Sequence, residues 1–418
     1  MQHILITILL AFVSLSTTAQ TVDNDNISGC WTGKLKVGFM QLTININLVH
    51  NPGQEWKCTL DSPDQSVKDI PATLQHFSAD SIAVSIPAIG ASYKAHISGE
   101  NMKGTFTQMG QNFPLDLKHE EVKLNRPQEP KAPLPYPTEE IQFTNEAAGA
   151  TFSGTLSLPV GFKPEQSETF PVVIMVTGSG QENRDEEIFE HKPFFVIADF
   201  LARNGIATLR YDDRAFGKSV GGDLKNATTA DFFDDAKAGI SYLRKVRNFK
   251  TVGILGHSEG GNIAFMAGAE GLVDFVVCLA AVGVRGDEAL TAQANDIMKR
   301  SGIAQQQTLE EFRAQVKQLH NAWLDHFIDY DPTPFVSATR CPVMAINGKN
   351  DCQVLCDLNL IAIEKTLPKN KKNLVKSYDR LNHLFQHSTT GLPTEYRQIE
   401  ETISPDVLSD IVGWIKSL

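Results

Sequence analysis

The stretch Thr251 to Gly261, reading Thr-Val-Gly-Ile-Leu-Gly-His-Ser-Glu-Gly-Gly, constrains this chain more than any other. A short apolar run enters Gly256-His257-Ser258-Glu259-Gly260, and a helix-forming stretch leaves it. This is the G-x-S-x-G pattern of a nucleophile elbow, a strained strand-to-helix turn that exposes a serine hydroxyl at its tip. Gly256 and Gly260 are needed because side chains there would collide with the neighbouring strand and helix. The same letters also fit an ordinary glycine-rich turn, so their meaning rests on the flanking chain.

Around this stretch, strand and helix patterns alternate from residue 138 to the end. Strand patterns fall at 140–146, 151–158, 170–177, 206–211, 251–255, 275–281, 343–347 and 374–378, the first two as a hairpin. Helical patterns fall at 193–204, 229–247, 262–269 and 405–418. In 229–247, Phe232, Ala236, Ile240 and Leu243 recur on one side. Alternation of this kind predicts an α/β fold, a mostly parallel sheet covered on both faces. Eight strands are expected, with the elbow after the fifth. Between strands six and seven, residues 285–334 read as helix, with Leu309, Phe312, Val316, Leu319, Trp323 and Phe327 at helical spacing. They are expected to form a helical cap over the site.

Upstream the period changes to two. Leu42, Ile44, Ile46 and Leu48 alternate with Thr43, Asn45 and Asn47; Ile82, Val84 and Ile86, then Tyr93, Ala95 and Ile97, then Phe113, Leu115 and Leu117 follow suit. Turn chemistry separates them, as at Asn51-Pro52-Gly53. Residues 20–125 are therefore expected to form a small antiparallel sandwich or barrel. It carries no catalytic constellation and reads as a structural cover or as a binding or dimerising module, which leaves a homodimer open. Pro127, Pro130, Pro133, Pro135 and Pro137 mark 126–137 as an extended linker. At the start, Ile4 to Leu15 and the small residues Thr17-Thr18-Ala19 suggest an export signal over 1–19, although no Lys or Arg precedes the apolar run. The apolar run is shorter than the roughly 20 residues of a spanning helix. The expected location is periplasmic or extracellular, with no membrane association after the signal is removed.

The net charge of −11 disfavours nucleic acid and anionic membranes as partners. The six cysteines are too scattered for a disulfide framework, and Cys352 and Cys356, at i and i+4, read as unpaired thiols. No metal-ligand spacing is evident, so no metal and no organic cofactor are expected.

A serine hydroxyl is a weak nucleophile and needs a base, which needs an orienting carboxylate. Downstream of Ser258, Asp351 follows the strand ending Ala345-Ile346-Asn347, and His383 lies in the loop beyond the last strand. Each of these alone is ordinary, a turn aspartate and a loop histidine. In the order Ser, Asp, His, each past a strand end, Ser258, Asp351 and His383 form a candidate triad. His257, His320, His326 and His387 fit worse. Two backbone N–H groups are needed for the oxyanion: Glu259, and Ser179 or alternatively Gly180 in the loop Thr177-Gly178-Ser179-Gly180.

Those motifs, with Asn347-Gly348-Lys349-Asn350-Asp351, Leu381-Asn382-His383-Leu384-Phe385-Gln386, the Gln181-to-Glu186 stretch, Arg210 to Ser219 and Asp329-Tyr330-Asp331-Pro332, resemble the α/β-hydrolase superfamily. More narrowly they resemble EstD-type bacterial esterases, which carry a β-rich N-terminal domain. Thr177 stands where many hydrolases have His, and Ala215 where Gly is usual. The resemblance covers 140–418 strongly and implies an α/β-hydrolase catalytic domain over 138–418 acting on small carboxylic esters, a small-molecule substrate. Glu259 is expected to pack in the elbow or to fix the oxyanion loop through Arg184. Arg184-Asp185-Glu186 and Asp212-Asp213-Arg214 are expected to form structural ion pairs. The competing readings are a serine peptidase of the prolyl oligopeptidase type and a non-catalytic binding protein on a hydrolase scaffold. Against the first, 20–125 shows no blade-like repeat from which a propeller is built.

Overall fold

Strict alternation of apolar and polar residues needs one buried face, and the N-terminal strands provide it by closing on themselves. The computed structural model describes residues 27–418 apart from 39, 50–55, 66, 79, 120–123 and 164–167. The expected signal and the Asn51-Pro52-Gly53 turn lie outside the described residues. Two units are present, Met1–Asn125 and Arg126–Leu418.

In the first unit β1 (Gly29–Val37), β2 (Met40–Val49), β3 (Lys57–Ser62), β4 (Val67–Phe77), β5 (Ser81–Ile86), β6 (Ala91–Ser98), β7 (Asn101–Gln108) and β8 (Gln111–His119) form a closed antiparallel barrel. Of the two expected architectures, sandwich and barrel, the barrel is the one formed. Each strand pairs with the next, and β8 returns to β1 through Trp31 opposite His119 and Gly33 opposite Leu117. Ile46, Leu48, Tyr93, Leu115 and Leu117 point inward and are buried with Trp31 and Phe106. Gly33 permits the closure: a Cβ there would lie 2.1 Å from the Asp116 carbonyl oxygen. Closure leaves no unpaired strand edge.

The second unit begins with the hairpin β9 (Thr138–Asn145) and β10 (Ala150–Ser157). It continues through β11 (Val172–Val176), α1 (Pro193–Arg203), β12 (Ala207–Tyr211), β13 (Val220–Gly221), α2 (Thr229–Lys245), β14 (Val252–His257), α3 (Glu259–Ala269) and β15 (Phe275–Leu279). The cap helices are α4 (Gly286–Arg300), α5 (Leu309–Lys317), α6 (Ala322–Phe327) and α7 (Thr333–Ala338). The chain closes with β16 (Val343–Gly348), α8 (Cys356–Thr366), β17 (Leu374–Tyr378), α9 (Pro393–Tyr396) and α10 (Pro405–Lys416). The sheet order is β13-β10-β12-β11-β14-β15-β16-β17, with β9 paired to β10. The strands from β12 to β17 in this order are parallel, and β10 alone runs against them, pairing antiparallel with β12, β9 and β13.

The expected eight strands are present and a ninth, β13, joins them. It is two residues long and offers no periodicity to detect. Along β11, Val172, Ile174 and Val176 face one core with α2, α3 and α8, and Val173 and Met175 face another with α1 and α10. A strand buried on both faces has to be apolar throughout, which is why its sequence does not alternate. The single helical run drawn through 309–327 divides into α5 and α6. His320 takes φ 48° between them, and the Asn321 side chain accepts from Leu324 N–H at 2.9 Å and starts a new helix.

The proline-rich segment is bound to the second unit rather than spanning open space. Arg126 donates to the carbonyls of Phe189, Glu190, Arg397 and Ile399, at 3.3, 2.9, 2.7 and 3.0 Å. Gln128 donates to the Ile403 carbonyl at 2.7 Å and accepts from Thr402 N–H at 2.6 Å. Arg126→Ala removes every one of those donors and is expected to destabilise the chain by about 2 kcal/mol, because the carbonyls lose partners inside the protein. Urea denaturation would read it, and Arg126→Lys should recover only part, since an ammonium cannot reach four carbonyls at once.

Candidate active site

The elbow is built by close contacts that only glycine allows. Ser258 takes φ 53° and ψ −119°, a backbone conformation that non-glycine residues rarely adopt. A Cβ on Gly256 would sit 1.9 Å from the Gly260 carbonyl oxygen, and one on Gly260 would sit 2.1 Å from that of Val176. Ser258 N–H donates to Leu279 O at 2.8 Å and Ser258 O accepts from Gly261 N–H at 2.9 Å, so both strand and helix hold the turn.

Asp351 lies in the turn after β16 and is 1% exposed. Its Oδ1 accepts from Gln353 and Val354 N–H at 2.7 and 2.9 Å, which leaves Oδ2 to meet His383 Nδ1 at 2.8 Å. His383 follows β17 in a loop that Asn382 organises, its Oδ1 accepting from Leu384 and Gln386 N–H. Gly348 allows the two loops to approach, since a Cβ there would lie 2.1 Å from the Leu381 carbonyl oxygen. The geometry thus brings Asp351 and His383 into direct contact. Ser258 sits at the elbow beside His257, whose ring centre is 4.6 Å from that of His383.

The Gly178 to Gly180 loop packs on Ser258: a Cβ on Gly178 would be 3.4 Å from Ser258 Cβ. Among the described residues, the N–H groups of Ser179 and Gly180 donate no hydrogen bond. Asp213 pins this loop, accepting from Glu182 N–H at 2.9 Å and from the Thr177 hydroxyl at 3.1 Å. Thr177, standing where His is common, therefore has a definite partner. Ala215, standing where Gly is common, takes φ 55°, the left-handed region that glycine favours. A cavity of about 10 Å³, lined by Gly178, Gly180, Tyr211, Asp213, Phe232 and Glu259, lies along the loop. That is room for about one water.

Glu259 does not act through Arg184. Its carboxylate is buried and accepts from the Thr229 hydroxyl at 2.6 Å and from the Trp323 indole at 2.9 and 3.0 Å. Burial raises its pKa, opposed by hydrogen bonds from Thr229, Trp323 and Ser179. Arg184 is instead committed to Asp212, at 2.8 and 3.0 Å, with Glu140 at 2.8 Å. Asp185 pairs with Arg210, and Arg214 with Asp235 at 2.7 Å. These match the expected structural ion pairs, but Glu186 and Asp213 depart from that pattern. Glu186 faces His257 Nδ1 at 2.8 Å, and Asp213 has no arginine partner. The residue patterns missed His257, Glu186 and Asp213 as site residues. The available signal was the crowding of Glu182, Asp185 and Glu186 just past a glycine-rich loop.

None of the six cysteines is in a disulfide. Cys352 lies ahead of α8 and donates to the Gly391 carbonyl at 3.0 Å, while Cys356 opens the helix. Among the described residues no group of three or more His, Cys, Asp or Glu side chains is arranged to hold a metal ion. No described helix is long and apolar enough to cross a membrane.

A parallel sheet with this order, an elbow after its central strand and an acid and a histidine past the next strand ends define the α/β-hydrolase fold. Residues 191–324 match the family described as serine aminopeptidase, S33. The chain is 27% identical over 279 residues to the esterase EstD of Thermotoga maritima, covering 63% of this chain and 65% of that protein. It thus spans less than two thirds of that relative's length. Among solved structures, an esterase of Pyrococcus furiosus superposes with a TM-score of 0.46 at 17% identity, covering 71% of this chain and 99% of the other. Est1E of Butyrivibrio proteoclasticus, with ferulic acid bound, gives 0.46 at 17% identity over 66% and 99%.

Burial pushes the Asp213 carboxyl up to about 8, against the Glu182 N–H and Thr177 hydroxyl that favour its charge. The folded chain then binds a proton there that the unfolded chain has already lost. This contribution to stability is full below the unfolded carboxylate range near pH 4 and is lost as pH rises through about 8. Asp213→Asn is expected to flatten the fall in stability across that window, read as urea midpoints at stepped pH.

Proposed function

We propose that this protein is a serine carboxylesterase that hydrolyses small carboxylic esters through an acyl-enzyme on Ser258. The observation that carries the reading is the buried Asp351 Oδ2 to His383 Nδ1 contact of 2.8 Å beside a serine held at positive φ. Ser258 Oγ attacks the ester carbonyl carbon while His383 Nε2 takes the hydroxyl proton. Asp351 accepts from Nδ1–H, which fixes the tautomer and stabilises the imidazolium. The oxyanion is held by the Glu259 N–H with that of Ser179 or, alternatively, Gly180. The tetrahedral intermediate collapses by breaking the bond to the alkoxy oxygen, and His383 returns the proton to the departing alcohol. Water, losing its proton to His383, then attacks the acyl carbon; as the bond to Oγ breaks, His383 returns that proton to Oγ, releasing the acid and free Ser258. Likeness to EstD supports ester over amide substrates. Short acyl groups and a homodimer through the barrel belong to the same proposal.

One observation favours a second reading: the matching family is described as a serine aminopeptidase. Such an enzyme needs an anion facing the substrate's ammonium group. Glu259 is occupied by Thr229 and Trp323, and Oε2 of Glu182 is closed off from solvent. These favour the ester reading. A fluorophosphonate probe is expected to label Ser258 in the full chain, and a panel of nitrophenyl esters to turn over faster than aminoacyl amides. Absence of label would leave only a non-catalytic scaffold, and turnover of amides alone would establish the peptidase.

The apolar segment from Ile4 to Leu15 supports export to the periplasm or beyond. Intact-mass measurement of the chain recovered from outside the cytoplasm should show a mature N-terminus near Gln20. A retained Met1 on a chain held in the cytoplasm would refute it.

A further inference from the structure

We propose that Glu186 and His257 form a charged clamp, a positioning pair that ties the oxyanion loop to the His383 loop and sets the pH at which Ser258 becomes reactive. The inference rests on the esterase reading for its catalytic consequence and on geometry for the clamp itself.

Three contacts define it. His257 Nε2 is 3.0 Å from the His383 carbonyl oxygen. His257 Nδ1 is 2.8 Å from Glu186 Oε1. The same Oε1 accepts from Gly178 N–H at 3.3 Å. A carbonyl oxygen only accepts, so Nε2 carries a proton. Oε1 already accepts from Gly178, and placing a proton on it would weaken that bond, which favours the proton on Nδ1. Nδ1 therefore carries a proton as well, and His257 is an imidazolium facing a carboxylate. Both residues are buried, His257 at 6% and Glu186 at 2% exposure. Burial opposes charge on His257, but Glu186, the His383 carbonyl and Asp351 outweigh it, and its pKa rises.

The clamp has two effects. Mechanically, one carboxylate oxygen holds the loop after β11 and, through His257, the backbone of the loop after β17. The donors and the base on those two loops are thus set relative to Ser258 by one pair. Electrostatically, a positive ring 4.6 Å from His383 opposes a second positive charge there. The groups facing the pair from the packed elements are few. Asp351 faces His383 from the turn after β16, and the Tyr396 hydroxyl on α9 meets His383 N–H at 3.4 Å. Glu182 and Asp213 lie near Glu186, and burial with that proximity holds Glu182 well above the usual carboxylate range, which disfavours its charge. Burial pushes Asp213 up to about 8, which disfavours its charge below that pH.

His257→Gln removes the positive charge and leaves Glu186 unpaired, and both changes favour a protonated His383. The rate of fluorophosphonate attack on Ser258 in the full chain, measured against pH, reads this without a natural substrate. The acid limb is expected to move up by about one unit in His257→Gln. The plateau rate is expected to fall about tenfold as the loops lose register. Adding Glu186→Gln removes the orphaned charge and should bring the limb back toward wild type. A limb that coincides with wild type in His257→Gln overturns the proposal, as does a double variant whose limb moves further away. A merely structural role would lower the plateau and leave the limb in place.

Where a variant fails to fold, the wild-type chain labelled with ¹⁵N in its histidine rings decides. Both His257 nitrogens should bear protons at about pH 8, where an ordinary imidazole is neutral. A single proton there overturns the clamp. This measurement also separates the two proposals: wild-type protein that ignores the probe refutes the esterase, and the ring protonation still judges the pair.

Discussion

Ser258 is held at φ 53°, and the second unit depends on keeping it there. A residue in this region costs of order 1–3 kcal/mol and persists only where its surroundings overdetermine it. Here they do so from three sides. Gly256 and Gly260 let strand, helix and the Val176 end of β11 approach closer than any Cβ permits. The backbone of Ser258 is bonded to β15 on one side and to its own helix on the other. α3, which leaves the elbow, is buried along nearly its whole length, so it cannot rotate to relieve the turn.

The same contacts explain why so many loops converge on one point. In a parallel sheet every strand delivers its C-terminal end to the same edge. The elbow after β14, the acid turn after β16, the histidine loop after β17 and the glycine loop after β11 therefore arise side by side. What the sheet does not supply is their fine alignment. Backbone bonds supply some of it, as where Asn350 N–H reaches Leu381 O at 2.9 Å. Buried polar side chains supply the rest: Glu186 reaches from the glycine loop to the elbow, and His257 from the elbow to the histidine loop. Glu259 extends the set outward to α2 and to Trp323 on α6, so the cap is anchored on the residue next to Ser258.

The order of elements was legible because strands buried on both faces are continuous apolar runs and the helices between them keep a 3.6 period. The contact between Asp351 and His383, and the place of Ser258 at the elbow, were legible because each residue follows a strand end in a fixed order. β13 was not, since two residues carry no period. The break between α5 and α6 was not, since Asn321 capping competes with an uninterrupted apolar spacing. The partners of Glu259 were illegible for a different reason. The guanidinium of Arg184 is drawn to Glu140 on β9, Ser153 and Thr155 on β10 and Asp212 just past β12. Side-chain pairing across 30 or 70 positions depends on which strand ends become neighbours, and no local pattern encodes that.

The acids around the glycine loop pose the sharpest physical problem in this unit. Glu182, Glu186, Asp213 and Glu259 all lie close to where the proposed oxyanion would form. A full negative charge about 6 Å away opposes another by about 3 kcal/mol at an effective dielectric near 20. Four such charges would cancel what two backbone donors contribute. Burial works against this by disfavouring the charged form of three of them. Burial holds Glu182 and Asp213 above the ordinary carboxylate range, and it raises Glu259 as well. Glu186 faces His257 at 2.8 Å. Polar side chains can then position the loop through hydrogen bonds without imposing an opposing field. The protonation state of this cluster therefore bears on the proposed elbow as much as its geometry does.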